Sequence, residues 1–166
     1  MNRQPERTSR QATSAAPPTP QESARRQVRL QKFLTMQAKD VMTGLVLTVS
    51  RQLTLRELEH LFETHDFNGF PVVEDHHLIG LVTKFDFLKN FVFTPSTVFP
   101  HYDDLMKRTV EEIMIKKVCT VHSTTPLTRV LQLMVETRDK SFPVADEKNR
   151  LVGIISRGDI VRALKG

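Results

Sequence analysis

The chain has 166 residues, a mass of 19.1 kDa, a formal net charge of +5 and an isoelectric point near 9.6, which allows one compact domain or two small ones. A single cysteine, Cys119, excludes a disulfide framework, and no apolar run approaches the roughly 18 residues of a membrane-spanning helix. With no apolar N-terminal stretch of signal-peptide length either, the expected compartment is the reducing cytoplasm.

The charge is uneven along the chain. Residues 1–39 carry eight of the 24 basic residues and two of the 19 acidic ones, which leaves 16 against 17 for the remainder. The body therefore offers no surplus of charge for nucleic-acid phosphates. Residues 1–27 contain no Leu, Ile, Phe or Tyr and read as disordered, because they cannot bury enough apolar area to offset the entropy of ordering. Arg25, Arg26, Arg29 and Lys32 flank Val28, Leu30, Phe33 and Leu34, the pattern of a short basic amphipathic helix over about 24–37. Residues 1–35 are thus a basic tail: a solubilising segment with a docking helix, an arm for nucleic acid or anionic membrane, or an organellar transit peptide.

From there the elements come twice. Strands are expected at about 46–49 and 118–121, and amphipathic helices at about 54–65 and 126–137. The first helix carries an apolar face of Leu55, Leu58, Leu61, Phe62 and His65. The second carries Leu127, Val130, Leu131, Met134 and Val135. Thr54 and Glu57 spell a capping box, and Thr125 before Pro126 reads as an N-cap with Pro in the first turn. Strand pairs follow at 70–74 and 78–83, then at 142–145 and 151–155. Their polar hairpin turns are Glu74–His77 and Asp146–Arg150, and closing helices begin at about 84 and 157.

A shift of 72 residues places Val41-Met42 on Ile113-Met114, Leu47-Thr48-Val49 on Cys119-Thr120-Val121, and Phe70-Pro71-Val72 on Phe142-Pro143-Val144. A shift of 73 then places Gly80-Leu81-Val82-Thr83 on Gly153-Ile154-Ile155-Ser156, and Asp86 on Asp159. Two tandem copies of one β-α-β-β-α unit are expected, an α/β (α+β) architecture. Residues 36–95 form the first copy, 96–109 the connector and 110–166 the second copy. Pro95 and Pro100 interrupt the joining stretch, and Phe91, Phe93, Phe99 and Tyr102 suggest that it packs down. One copy is small for independent stability, so the two should pack on each other.

This pattern resembles the tandem cystathionine-beta-synthase (CBS) domain pair, or Bateman module, over about residues 36–166. The matching strings are Asp40-Val41-Met42 with Glu112-Ile113-Met114, the two Thr-Val strands, Gly69-Phe70-Pro71-Val72-Val73 with Ser141-Phe142-Pro143-Val144, and Gly80 to Asp86 with Gly153 to Asp159. The resemblance implies a pseudo-twofold pair whose clefts bind adenosine-containing ligands. AMP is foremost, with ADP, ATP or S-adenosylmethionine as alternatives, and the pairs are expected to form homodimers.

The residues give this a physical basis. Thr83 and Ser156 should cap the helices that follow, with Lys84 and Arg157 able to add charge against a phosphate. Asp86 and Asp159 are placed to accept hydrogen bonds from both hydroxyls of a ribose, or else serve only as capping carboxylates. The resemblance puts the adenine slot at Leu45, Val46 and Thr48 with Phe70 and Pro71, and at Lys116, Val118 and Thr120 with Phe142 and Pro143. Phe70 and Phe142 read equally as core. Gly158, where the first copy has Phe85, favours the second copy's motif as the better site.

No catalytic set emerges. The six histidines form no metal-binding spacing, and His76-His77 falls in a turn. Cys119 is expected as a buried strand thiol, and Glu111-Glu112 as a solvated first helical turn. There is no P-loop and no Gly-x-Gly-x-x-Gly. The expected function is a non-catalytic sensor of an adenosine nucleotide, without a metal, acting on an unidentified regulated protein. The alternatives are a nucleic-acid-binding protein working through its tail, with the pair as dimerising scaffold, and an adaptor with unfilled clefts.

Overall fold

The computed structural model describes residues 19–92 and 101–165. The expectation of disorder for the first 18 residues, and the roles given to Phe93, Pro95, Phe99 and Pro100, lie outside these. Helix α1 (Pro20–Thr35) begins earlier than expected and corrects the reading of residues 20–27 as disordered. Thr19 and Glu22 form a reciprocal capping box, and Pro20 sits in the first turn, where its missing N–H costs nothing. Local capping chemistry thus starts a helix that composition alone disfavours. Its buried residue is Phe33, which anchors the helix on the second copy.

Copy 1 comprises α2 (Leu55–Thr64), β1 (Gly69–Glu74), β2 (His77–Thr83) and α3 (Lys84–Lys89). The joining stretch holds α4 (Tyr102–Met106). Copy 2 comprises α5 (Val110–Ile113) in its leading segment, β3 (Val121–His122), α6 (Leu127–Thr137), β4 (Ser141–Ala145), β5 (Leu151–Ser156) and α7 (Arg157–Lys165). The expected strand at 46–49 shrinks to one parallel bridge, Val49 to Val72, and its counterpart to Val121–His122 beside β4. Cys119 lies before β3 and is exposed, not buried. Thr125 does not cap α6: its hydroxyl accepts from the His122 N–H, and the cap position falls to Pro126. Val135, expected on the apolar face of α6, is 70% exposed.

β1 and β2 pair antiparallel through a two-residue turn at Asp75-His76, both at positive φ (48° and 65°), as the tight hairpin geometry demands. β4 and β5 repeat the arrangement, with a longer turn tied by Asp146. The Arg150 N–H and guanidinium both donate to Asp146 and hold its carboxyl below the usual range.

The copies exchange their leading segments. Ala38, Val41 and Met42 pack in the core of copy 2, around Phe142 and Leu127, while Val110, Ile113 and Met114 pack in the core of copy 1, around Phe70 and Leu55. The hydrogen bonds are reciprocal: the Leu127 N–H donates to the Met36 carbonyl and the Leu55 N–H to that of Arg108. Thr43 bridges Ile154 on the edge of β5, and Ile115 bridges Leu81 on the edge of β2. Where these segments cross, Gly80 and Gly153 leave room that a Cβ would fill: it would meet the sulfur of Met114 at 2.6 Å or of Met42 at 2.7 Å. A pseudo-twofold axis relates the halves. It passes between Asn68 and Lys140, equivalent positions joined by a 3.2 Å hydrogen bond, and between the bridged pair His77 and Arg150.

Candidate nucleotide clefts

Each closing helix starts where a strand ends, and Thr/Ser-x-x-Asp sets its geometry. Ser156 donates to Oδ2 of Asp159 from both its N–H and its hydroxyl, at 2.7 Å each, and the Asp159 N–H returns a bond of 3.3 Å to that hydroxyl. Thr83 and Asp86 repeat this at 3.1, 2.5 and 3.2 Å. Both aspartates are buried, and the capping role is fulfilled in both copies. The second carboxylate oxygen accepts from a side-chain cation three residues on: Oδ1 of Asp159 from Arg162, and Oδ1 of Asp86 from Lys89 at 2.9 Å. Those cations are 73% and 55% exposed while the aspartates beneath them are only 5% and 3% exposed, so each carboxylate turns one oxygen to its helix and the other to a covering cation.

A cleft of about 370 Å³ opens beside Asp159, and one of about 410 Å³ beside Asp86. Because the leading segments are exchanged, each cleft mixes the copies. Asp159 and Ser156 from copy 2 face Leu45, Val46 and Pro71 from copy 1. Asp86, Thr83 and Lys84 from copy 1 face Ile115 from copy 2's leading segment and Ser141 from β4.

Several expected slot residues fall elsewhere. Phe70 and Phe142 are fully buried core, and Pro143 is buried within β4. Thr48 lines a separate groove by the hairpin turns. Of the segment containing Lys116, Val118 and Thr120, it is Ile115 that reaches the Asp86 cleft. Arg157 turns away: its guanidinium donates to the Asp139 and Arg138 carbonyls just past α6, at 3.0 and 2.5 Å. Gly158 is exposed, and its counterpart Phe85, 68% exposed, lines the Asp86 cleft.

Sequence reasoning missed Asn68 and Lys140, which line both clefts, and the cations Lys89 and Arg162. The first two share one position of the repeat, and the second two stand at i+3 from their aspartates. The i+3 spacing was a local signal for Lys89 and Arg162, whereas Asn68 and Lys140 reach the clefts only through the packing of the two copies.

Comparison with known proteins gives a consistent picture. Residues 38–92 and 110–166 match the CBS domain. The CBS domain-containing protein CBSX1, chloroplastic, of Arabidopsis thaliana is 31% identical over 130 residues, covering 66% of this chain and 55% of that protein. The L-aspartate semialdehyde sulfurtransferase of Methanocaldococcus jannaschii is 29% identical over 129 residues, covering 77% of this chain and 23% of the enzyme. The chain thus spans a quarter to about half the length of these relatives. Among solved structures, the CBS domain pair of protein MJ0100 in complex with 5′-methylthioadenosine and S-adenosyl-L-methionine superposes with a TM-score of 0.66 at 27% identity, covering 80% of this chain and 98% of that one. CBSX2 in complex with AMP does so with a TM-score of 0.65 at 25% identity, covering 76% and 94%.

Proposed function

Since the chain belongs to the CBS domain family, we propose that it is a non-catalytic regulatory module whose two clefts bind adenosine-containing ligands. AMP is the first candidate, with ADP, ATP and S-adenosylmethionine next. The observation that carries this reading is the pair of buried aspartates, each holding one carboxylate oxygen at the mouth of a cleft behind an exposed cation. A ribose diol can take the place of that cation, and the apolar wall of Leu45, Val46 and Pro71 suits a purine face. The solved CBS pairs that hold AMP, methylthioadenosine or S-adenosylmethionine support it. Residues 36–166 form the functional unit, since the segment from Met36 to Met42 completes the core of the second copy.

The same reading makes the protein a cytoplasmic homodimer acting on a regulated partner. Val135, Val161 and Leu164 leave an apolar surface on α6 and α7 that a second copy would cover. The exposed thiol of Cys119 suits a reducing compartment. Among the described residues no helix is long and apolar enough to cross a membrane, and no cluster of acidic, His or Cys side chains could hold a metal.

The test is titration calorimetry of the full chain with AMP. Asp159→Ala and Asp86→Ala should each abolish one site or weaken it by about 30- to 1000-fold, the loss of two charge-assisted hydrogen bonds at roughly 2–4 kcal/mol in total. Unchanged affinity in the double variant would reduce both aspartates to helix caps and remove the proposal.

A further inference from the structure

The clefts are equivalent by symmetry but not by charge. In the Asp159 cleft, Lys140 and Arg162 face Asp66 and Asp159, and the charges balance. In the Asp86 cleft, Lys84, Lys89, Arg138 and Lys140 face Asp86 and Asp139, a surplus of two positive charges. Part of that surplus is met locally: Lys89 is paired with Asp86, and Lys84 makes a long, exposed ion pair of 4.0 Å with Asp66, whereas Lys140 donates to the neutral amide of Asn68. Arg138 occupies a left-handed backbone position (φ 62°) at the end of α6, which brings residues 138–141 onto the rim of this cleft.

Resting on the nucleotide reading above, we infer that the two clefts take different ligands. The Asp86 cleft is a polyphosphate site for adenosine di- or triphosphate. The Asp159 cleft takes an adenosine compound with no more than one phosphate, such as AMP or S-adenosylmethionine. Surplus cations stabilise a polyanion most where solvent screening is partial, and they make its binding salt-dependent. In the balanced cleft each added phosphate meets as much repulsion as attraction.

The experiment titrates the full chain with ATP and with adenosine, at low and high salt, in the wild type and in Lys84→Gln and Arg138→Gln. ATP should show one tight site, weakened by salt and about tenfold by each substitution, the scale of one lost charge-assisted contact, while adenosine binding stays within about twofold. Inorganic tripolyphosphate should displace ATP but not adenosine, a readout that requires no variant to fold. If ATP and adenosine bind equally well, or both substitutions leave ATP affinity intact, the division of ligands is overturned and the nucleotide reading stands. If neither compound binds, the nucleotide reading falls and takes the division with it.

Discussion

A buried aromatic side chain contributes most where it cannot be replaced by water or a neighbour. Phe142 is fully buried among Leu127, Val130, Val144 and Ile155, so Phe142→Ala should cost about 3–5 kcal/mol in urea unfolding. Charge acts differently, through pH. The Thr54 hydroxyl and N–H both donate to Glu57, and Thr109 and Arg108 do the same for Glu112, so both carboxyls are held below the ordinary glutamate value of 4.5. A carboxyl with a depressed folded pKa adds stability at pH values above its unfolded pKa, and that stability is lost as pH falls through the folded one. The melting temperature should therefore fall in acid, below about pH 4.5, and Glu112→Gln should melt lower at neutral pH with a shallower acid slope. A slope unaltered by the substitution would refute the assignment. At this scale the sequence was a good guide where partners lie three residues apart, as in Thr83 with Asp86. It failed for Arg157, whose carbonyl partners at Arg138 and Asp139 come from the end of a different helix.

Helices were legible because their apolar spacing and caps are local. α2 ends within one residue of expectation, and α3 and α7 start where strand-end Thr83 and Ser156 dictate. The short strands were less so. Around Val49 the chain makes one bridge to β1, since the pairing depends on a neighbour and not on the segment's own alternation. α1 combines both lessons. Its capping box was in the sequence, but its partner surface on α6 and α7 was not. A chain starting at Met36 should bind AMP as the full chain does, since the clefts described here are lined by residues beyond it. Its stability should drop by about 3 kcal/mol or more for want of Phe33, seen as a lower melting temperature. A tenfold loss of affinity would show that α1 acts on the clefts.

For the whole molecule, the 72-residue repeat announced two copies and their symmetry, but not which copy each leading segment would join. A repeat specifies elements and leaves their pairing open. Gly80 and Gly153 mark the crossings, and Gly153→Ala should destabilise by about 1–3 kcal/mol through overpacking against Met42, with Gly80→Ala acting likewise against Met114. Differential scanning calorimetry would show both, and unchanged transitions would mean that the segments yield freely. The exchange also bears on ancestry. Two identical single-copy chains could trade leading segments across a true twofold axis and bury the same cores, so this molecule has the form of a fused homodimer whose halves have since diverged. It follows that residues 36–92 and 101–166, produced as separate polypeptides, should each be unstable alone yet recombine on mixing into a one-to-one complex with the circular dichroism of the intact chain.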